Sequence, residues 1–144
     1  MIETQRIARS ALSLIINGQY DATAGTDTMA GVNYSRRNGI VGATAYAIVG
    51  GNRINFALEP DAIGTTPRSF LLGVDAGTGQ NIVQYIDSVG ATHDLASTLG
   101  ITSLQFVALS ANIVRVTATV TQAQSLNRPN ITASYSDTVY LRND

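Results

Sequence analysis

The side chains that most often do chemistry in proteins are scarce in this chain, and His93 is the only histidine among its 144 residues. A Ser-His-Asp triad needs a histidine placed between a nucleophile and an orienting carboxylate. Asp94 is the next residue, and neighbours in sequence usually point their side chains in different directions. We therefore interpret His93 as a loop histidine near the start of a helical turn, and not as a catalytic base.

A second candidate is the segment from Asp75 to Asn81, which has Asp, Gly, Gly and Asn at alternate positions. The spacing faintly resembles a calcium loop, where oxygen ligands recur at every second position. Gly77 and Gly79 stand at two of the positions that need carboxylates, and the Gly-x-Gly pattern lacks the strand and helix of a phosphate loop. We predict a hairpin turn here.

The remaining polar motifs also favour structural roles. Glu59 and Asp61 flank a proline, which predicts a turn, and Arg36-Arg37 is interpreted as a solvated turn. The triplets that begin at Asn33 and Asn130 match the glycosylation acceptor pattern. Without cysteine and with one histidine, a zinc site would need mostly carboxylates. We predict no metal, no cofactor and no enzymatic activity.

Composition narrows the classes of partner. Hydrophobic residues make up 44% of the chain and charged residues only 13%, against about 25% in an average domain, so the surface must be rich in Ser, Thr, Asn, Gln and Gly. The formal net charge of -1 does not favour nucleic acid binding. No signal peptide and no run of about 18 apolar residues is visible. The length suits one domain, residues 1–144.

Residues 2–17 have the periodicity of a helix. At about 100° per residue the apolar side chains fill one arc of roughly 200°, wider than one packed face requires. The members of this arc are Ile7, Ala8, Ala11, Leu12, Leu14, Ile15 and Ile16. Glu3 and Arg6 are spaced to form an ion pair, and Gly18 is suited to end the helix. Either the helix is deeply sunk in its own core, or it also contacts a partner outside.

The chain after the helix divides into a loop, residues 18–43, and a β-rich part, residues 44–144. The β-rich part has the period of two that is typical of strands. We predict about seven antiparallel strands and one helical turn, with Asp94 as its N-cap. The paired strands are Ala45 to Val49 with Arg53 to Leu58, Ser69 to Val74 with Asn81 to Ile86, and Ile101 to Leu109 with Ile113 to Thr121. The predicted fold class is α+β, an N-terminal helix packed on one or more antiparallel sheets.

The chain closes on a further strand. Val139 and Leu141 alternate with Thr138, Tyr140 and Arg142, so we expect the first two to face the core and Tyr140 and Arg142 to face outward or toward a partner. A terminal segment of this kind is structural rather than a frayed end.

Several of these segments, taken in order, resemble the type IV pilin-like proteins, in particular the minor pilins and the J-type minor pseudopilin of type II secretion. QRIARSALSLIINGQY resembles the soluble half of the long first helix of that family. GNRINFAL, NIVQYI and LASTLGITSLQF resemble its successive strands, and TVYLRN resembles its closing strand. The apolar half-helix and the cysteine pair of many pilins have no counterpart here.

The resemblance implies a pilin-like fold and a structural role: a minor subunit that primes a type IV pilus or type II secretion pseudopilus, or assembles at its tip. Its partners would be other pilin or pseudopilin subunits. Its location would be periplasmic or extracellular, on a filament anchored in the inner membrane before assembly by a helix missing from this sequence. The assembly interface would lie on the first helix, at Ile7, Ala8, Ala11, Leu12, Leu14 and Ile15.

The polar loops leave a second function open. An extracellular adhesin or a carbohydrate-binding β-domain that works alone would use exposed aromatic residues, and Tyr34 and Tyr135 are candidates for these contacts.

Overall fold

A computed structural model describes residues 3–61, 67–123 and 127–141. Helix α1, Glu3–Ile16, begins the fold, close to the predicted range of 2–17. Its apolar stripe packs inward and its exposed side carries the predicted pair of Glu3 and Arg6. Gly18 ends the helix as predicted, because its φ of 72° lets its amide donate to the carbonyl of Ser13.

All strand pairs in the described residues are antiparallel, and they form three sheets. The two-stranded sheet contains β1 (Thr26–Met29) and β2 (Val32–Ser35). The five-stranded sheet contains, in spatial order, β3 (Ala45–Val49), β4 (Arg53–Ala57), β5 (Arg68–Val74), β6 (Asn81–Ile86) and β7 (Thr92–Asp94). The three-stranded sheet has β9 (Ile113–Gln122) between β8 (Ser103–Ser110) and β10 (Ile131–Tyr140).

The predicted fold class, an α+β fold of the pilin type, is wrong. Strands make up 49% of the structure, and the α-helix of the described residues has only 14 residues. The fold is therefore mostly β, with a short helix packed against it. The prediction underestimated the strands because it missed β1, β2 and β7 and placed the start of the closing strand too late.

The segment predicted as a loop contains the β1–β2 hairpin. Ala30 and Gly31 form its turn with φ values of 52° and 80°, as a tight hairpin requires. Almost every residue of both strands is exposed, so the hairpin buries no face. A strand that buries no face shows no alternation of apolar and polar residues, and the sequence pattern therefore gave no signal.

The three predicted strand pairs are confirmed to within two residues at each end. Gly50 and Gly51 supply the positive φ values of the β3–β4 turn. The predicted helical turn is present as a short 3₁₀ turn, Ala96–Thr98, but Asp94 is not its N-cap. Asp94 ends β7 instead and accepts a hydrogen bond from Gln84.

The core lies between the inner faces of the two larger sheets, with α1 closing one side of it. Four alternate residues of β9, Val114, Val116, Ala118 and Val120, are fully buried as predicted. On the five-stranded sheet an aromatic row crosses the inner face, with ring centroids 5.4 Å apart for Phe56 and Phe70 and 5.1 Å apart for Phe70 and Tyr85. The amide of Phe106 donates to the carbonyl of Gly51 at 2.7 Å, which ties the edge of β8 to the β3–β4 turn.

The closing strand runs antiparallel to β9 over its whole length. Val139 and Leu141 are 4% and 7% exposed and face the core, and Tyr140 is 70% exposed, as predicted. Arg142, which was predicted to face outward, lies outside the described residues. The amide of Leu141 still donates to the carbonyl of Asn112 beyond the end of the strand.

Candidate interaction surface

The six residues predicted as an assembly interface divide into two groups in the structure. Ile7, Ala8, Ala11 and Ile15 are no more than 3% exposed and belong to the core of the protein itself. Leu12 and Leu14 are partly buried and pack at the border of that core. The wide apolar arc therefore reflects a helix whose inner side is covered by the core and whose two flanks carry partly buried residues.

One flank of the helix forms a groove with β10. Leu12 and Ile16 line it from the helix, and Tyr135 and Asp137 line it from the strand, around a volume of about 270 Å³. The guanidinium of Arg9 lies over the ring of Tyr135, 4.9 Å from its centroid. This contact between a cation and an aromatic face stabilises the groove by about 0.5–1 kcal/mol.

The opposite flank of the helix opens on a cleft of about 670 Å³ beside β6 and β7. Leu14 and Leu95 form its apolar part, and Tyr20, Asp87 and His93 lie among its polar residues. Nε2 of His93 lies 2.8 Å from Oδ2 of Asp87. This hydrogen bond is the main reason that the pKa of Asp87 lies below its ordinary value.

The other oxygen of Asp87 accepts hydrogen bonds from the amides of Val89 and Ala91, both at 3.0 Å. The carboxylate therefore organises the turn between β6 and β7, and His93 completes this arrangement while 54% of its side chain stays exposed. The prediction of a loop histidine near a helical turn is corrected in one respect, because His93 lies within β7.

The most deeply buried polar site is centred on Arg68, which sequence reasoning missed. Its side chain is 1% exposed and makes a bidentate pair with Asp61, at 2.9 Å from Nε and 2.8 Å from Nη2. The same guanidinium donates to the hydroxyl and the carbonyl of Thr23 and to the hydroxyl of Tyr85, each at 2.9 Å. Asp21 lies 3.5 Å from it on the far side.

The pKa values of Asp61 and Arg68 move in the directions that keep both groups charged. Burial alone would raise the pKa of Asp61, but hydrogen bonds from Arg68 and from the amide of Leu58 lower it below its ordinary value. Burial would lower the pKa of Arg68, but its bonds to Asp61 and Tyr85 raise it. The network is a fully bonded structural ion pair that joins the Thr23 segment to β5 and β6.

A signal for this site was present in the sequence. Arg68 shares a strand face with Phe70, which is buried, and a charged residue on such a face requires a partner. Asp61, interpreted as a turn residue, is that partner. The pairing was missed because the predicted strand began at Ser69, so Arg68 was not assigned to the face of Phe70.

The other motifs have local structural roles. Asp75 accepts hydrogen bonds from the amide and hydroxyl of Thr78, which confirms the predicted turn. Arg36 pairs with Asp27 and Glu59 at 2.8 Å and 2.9 Å and so anchors the β1–β2 hairpin, which corrects the interpretation of this residue as part of a solvated turn. Arg37 is exposed, and it lies over the ring of Tyr20 and donates to the carbonyl of Gly18.

The two tyrosines proposed as contacts for a ligand lie on different sheets. Tyr34 is half exposed on β2, and Tyr135 is partly buried on β10 under Arg9. The structure therefore does not bring them together into one site.

Among the described residues, no three of the types His, Cys, Asp and Glu come together to hold a metal ion. Within the same residues, no helix has both the length and the apolar character needed to cross a membrane. A comparison of the chain with family models, curated proteins and solved structures finds no match.

Proposed function

We propose that this protein is a structural subunit that assembles with sister subunits of a type IV pilus or a type II secretion pseudopilus, in filament priming or at the tip. The resemblance of the sequence segments motivates the choice of system. The observation that carries the proposal is the pair of partly exposed flanks on α1, where Leu12, Leu14 and Ile16 lie at the border of the core. Aliphatic side chains in this position are ready to be covered by a neighbouring subunit.

The exposed face of the three-stranded sheet supports the same proposal. Hydroxyl pairs connect β9 to β10 along this face, at 2.7 Å for Thr117 with Ser136 and 3.0 Å for Thr119 with Ser134. The hydroxyl groups of these side chains hydrogen-bond to each other, and none of them carries a charge. A neighbour that covers them removes no charge from water, and charge is depleted at the centre of interfaces.

The cleft beside β6 and β7 supports a structural role over a catalytic one. Asp87 is held by two amides and by His93, and Asp21 accepts from the amide and hydroxyl of Thr23. Carboxylates that are held in this way organise turns.

Co-expression with candidate sister subunits, followed by co-purification, tests the proposal. Leu12→Ser combined with Leu14→Ser is expected to lower the recovered complex at least about tenfold, because both flanks lose apolar contact area. Val89→Ser is the matched control, since Val89 is 85% exposed on the turn between β6 and β7. The proposal fails if no sister subunit binds, or if the control lowers recovery as much as the helix variant.

The cleft favours a second candidate function, a carbohydrate-binding or adhesin domain. Tyr20 is 70% exposed at its rim, and hydrogen-bonding side chains line the remainder, which is the chemistry that recognises sugar hydroxyls. Binding of the isolated protein to a glycan array, abolished by Tyr20→Ala and retained by Tyr34→Ala, would favour this function. An array without binding would count against it.

A further inference from the structure

Strand β10 forms a long edge of the three-stranded sheet. Its ten residues pair with β9 on one side without a break in register. Helix α1 and the 3₁₀ turn Ile40–Gly42 also contact β10, but no backbone hydrogen bond in the described residues reaches its other side. An edge of this length presents a row of unpaired backbone donors and acceptors.

The opposite edge of the same sheet, strand β8, is protected from pairing with another strand. β8 has an irregularity in its register between Ala108 and Ser110, and its Phe106 amide is bonded to Gly51. β10 has no proline and no arginine, and its only charged residue is Asp137, which lies on the inner face and accepts a hydrogen bond from the amide of Thr138 at 2.9 Å. Natural edge strands normally carry several such devices to prevent pairing with another chain, and on β10 Asp137 is the only one of them, which leaves most of this edge open to a strand partner.

The residues beside the edge carry complementary charges. Arg9 lies over Tyr135, and Asp137 stands two residues further along the same face of the strand, in the groove that Leu12 and Ile16 also line. The cation and the carboxylate are thus displaced from each other along β10. In an antiparallel copy of this strand the order of the two charges is reversed, so Arg9 of each copy lies near Asp137 of the other.

We propose that β10 pairs antiparallel with β10 of a second copy of this chain, which joins two three-stranded sheets into one sheet of six strands. Residues that lie opposite each other in an antiparallel pair have their side chains on the same face of the sheet. In a pair of identical strands, the two-fold axis therefore lies at a residue that is opposite its own copy, and not between two residues. An axis at Ser136 places Tyr135 opposite Asp137 of the copy. Arg9 over Tyr135 then meets that carboxylate, and the two-fold symmetry forms the contact twice.

The alternative axis at Tyr135 is less favourable. It places Asp137 opposite Ala133, a residue that is 7% exposed, and moves the carboxylate away from the Arg9 of the copy. The axis at Ser136 instead places Ala133 opposite Val139, and since both side chains are buried in the core of their own copy, no charged side chain lies opposite a buried one. The outer face receives only uncharged pairs, with Ser134 opposite Thr138 and Thr132 opposite Tyr140.

This self-association does not rest on the proposed filament function. It uses the backbone edge and the pair Arg9 and Asp137, whereas assembly with sister subunits is tested by the flank residues Leu12 and Leu14. If the protein is monomeric in solution but still co-purifies with sister subunits, the dimer proposal is wrong and the filament proposal stands.

Cysteine crosslinking tests the register directly, because the chain contains no native cysteine. Residues on the two-fold axis are opposite each other at about 4.5–5.5 Å between Cα atoms, within reach of a disulfide. Ser136→Cys is expected to give a covalent dimer under mild oxidation. Ser134→Cys is the matched control and is expected to stay monomeric on a non-reducing gel, since it lies opposite Thr138 of the copy.

Sedimentation velocity over a range of concentrations tests the charge pairing. Arg9→Glu and Asp137→Arg are each expected to weaken the dimer at least about tenfold, and the double variant is expected to restore it. Arg115→Glu, on the exposed face of β9, should leave it unchanged. A monomeric wild type, equal crosslinking of both cysteine variants, or a double variant no better than the single ones would overturn the proposal.

Discussion

The buried guanidinium of Arg68 needs a hydrogen-bond partner for each of its donors. Its guanidinium uses all three nitrogens, toward Asp61, Thr23 and Tyr85, so no donor of this side chain remains unused in the protein interior. Such a pair contributes little compared with an apolar replacement of the whole network, but the loss of one partner leaves the other charge buried and uncompensated. Removal of Arg68 is therefore costly mainly because it leaves the charge of Asp61 buried without a partner, and less because of the strength of its hydrogen bonds.

Arg68→Met is expected to lower the free energy of unfolding by about 3–5 kcal/mol, because the Asp61 carboxylate would remain buried without its cation. Urea unfolding followed by far-ultraviolet circular dichroism measures the change. Arg115→Met provides the same substitution at an exposed position and should cost less than about 0.5 kcal/mol. Equal effects of the two substitutions would contradict the structural role of the network.

Asp87 makes the stability of the fold depend on pH. Its hydrogen bond with His93, aided by two amides, lowers its pKa in the folded protein, so it stabilises the fold above the unfolded pKa near 4 and loses this contribution as the pH falls through the folded pKa. His93→Ala is expected to raise the pKa of Asp87 toward its ordinary value. Carboxyl titration by NMR measures it, with the pKa of Asp61 as internal control; an unchanged Asp87 pKa would contradict this account.

At the scale of elements, the sequence predicted best where an element buries one face. α1, the β3–β4 pair and the β8–β9 pair all show clear periodicity, and all three were located to within two residues. β1 and β2 bury no face and were missed for that reason. For the candidate surface, periodicity located the helix and its apolar arc, but which residues of that arc are covered depends on distant strands, and periodicity within the helix does not reveal this. The assembly interface itself stays a prediction.

β10 is an element whose two faces have different roles. Val139 and Leu141 fill the core, so removal of residues 138–144 is expected to unfold the three-stranded sheet rather than trim an end. A finer test is Val139→Ala, which should cost about 1–3 kcal/mol through lost burial and a small cavity. Thr138→Ala, on the exposed face of the same strand, is the control, and thermal unfolding compares the two; a similar loss in both would contradict the assignment of faces.

At the scale of the whole molecule, one hydrophobic cluster includes residues of α1 and of both larger sheets. Gly39 shows how closely the segments approach, because a Cβ at this position would lie 2.3 Å from the backbone of Asn17 and Ile16. Contacts of this kind link the end of the helix to the segment that leads into the five-stranded sheet. The two sheets and the helix are therefore expected to unfold as one cooperative unit, as most single domains of this size do.

Ile15 tests this cooperativity, because its side chain is fully buried on the helix while its cluster extends into both sheets. Ile15→Ala is expected to cost about 2–5 kcal/mol, and the loss should appear equally in the exchange protection of amides in β5 and β9. Val89→Ala, at an 85% exposed position, should change neither. If β9 lost protection while β5 kept it, the helix would support only the sheet it covers, and the molecule would unfold in two steps.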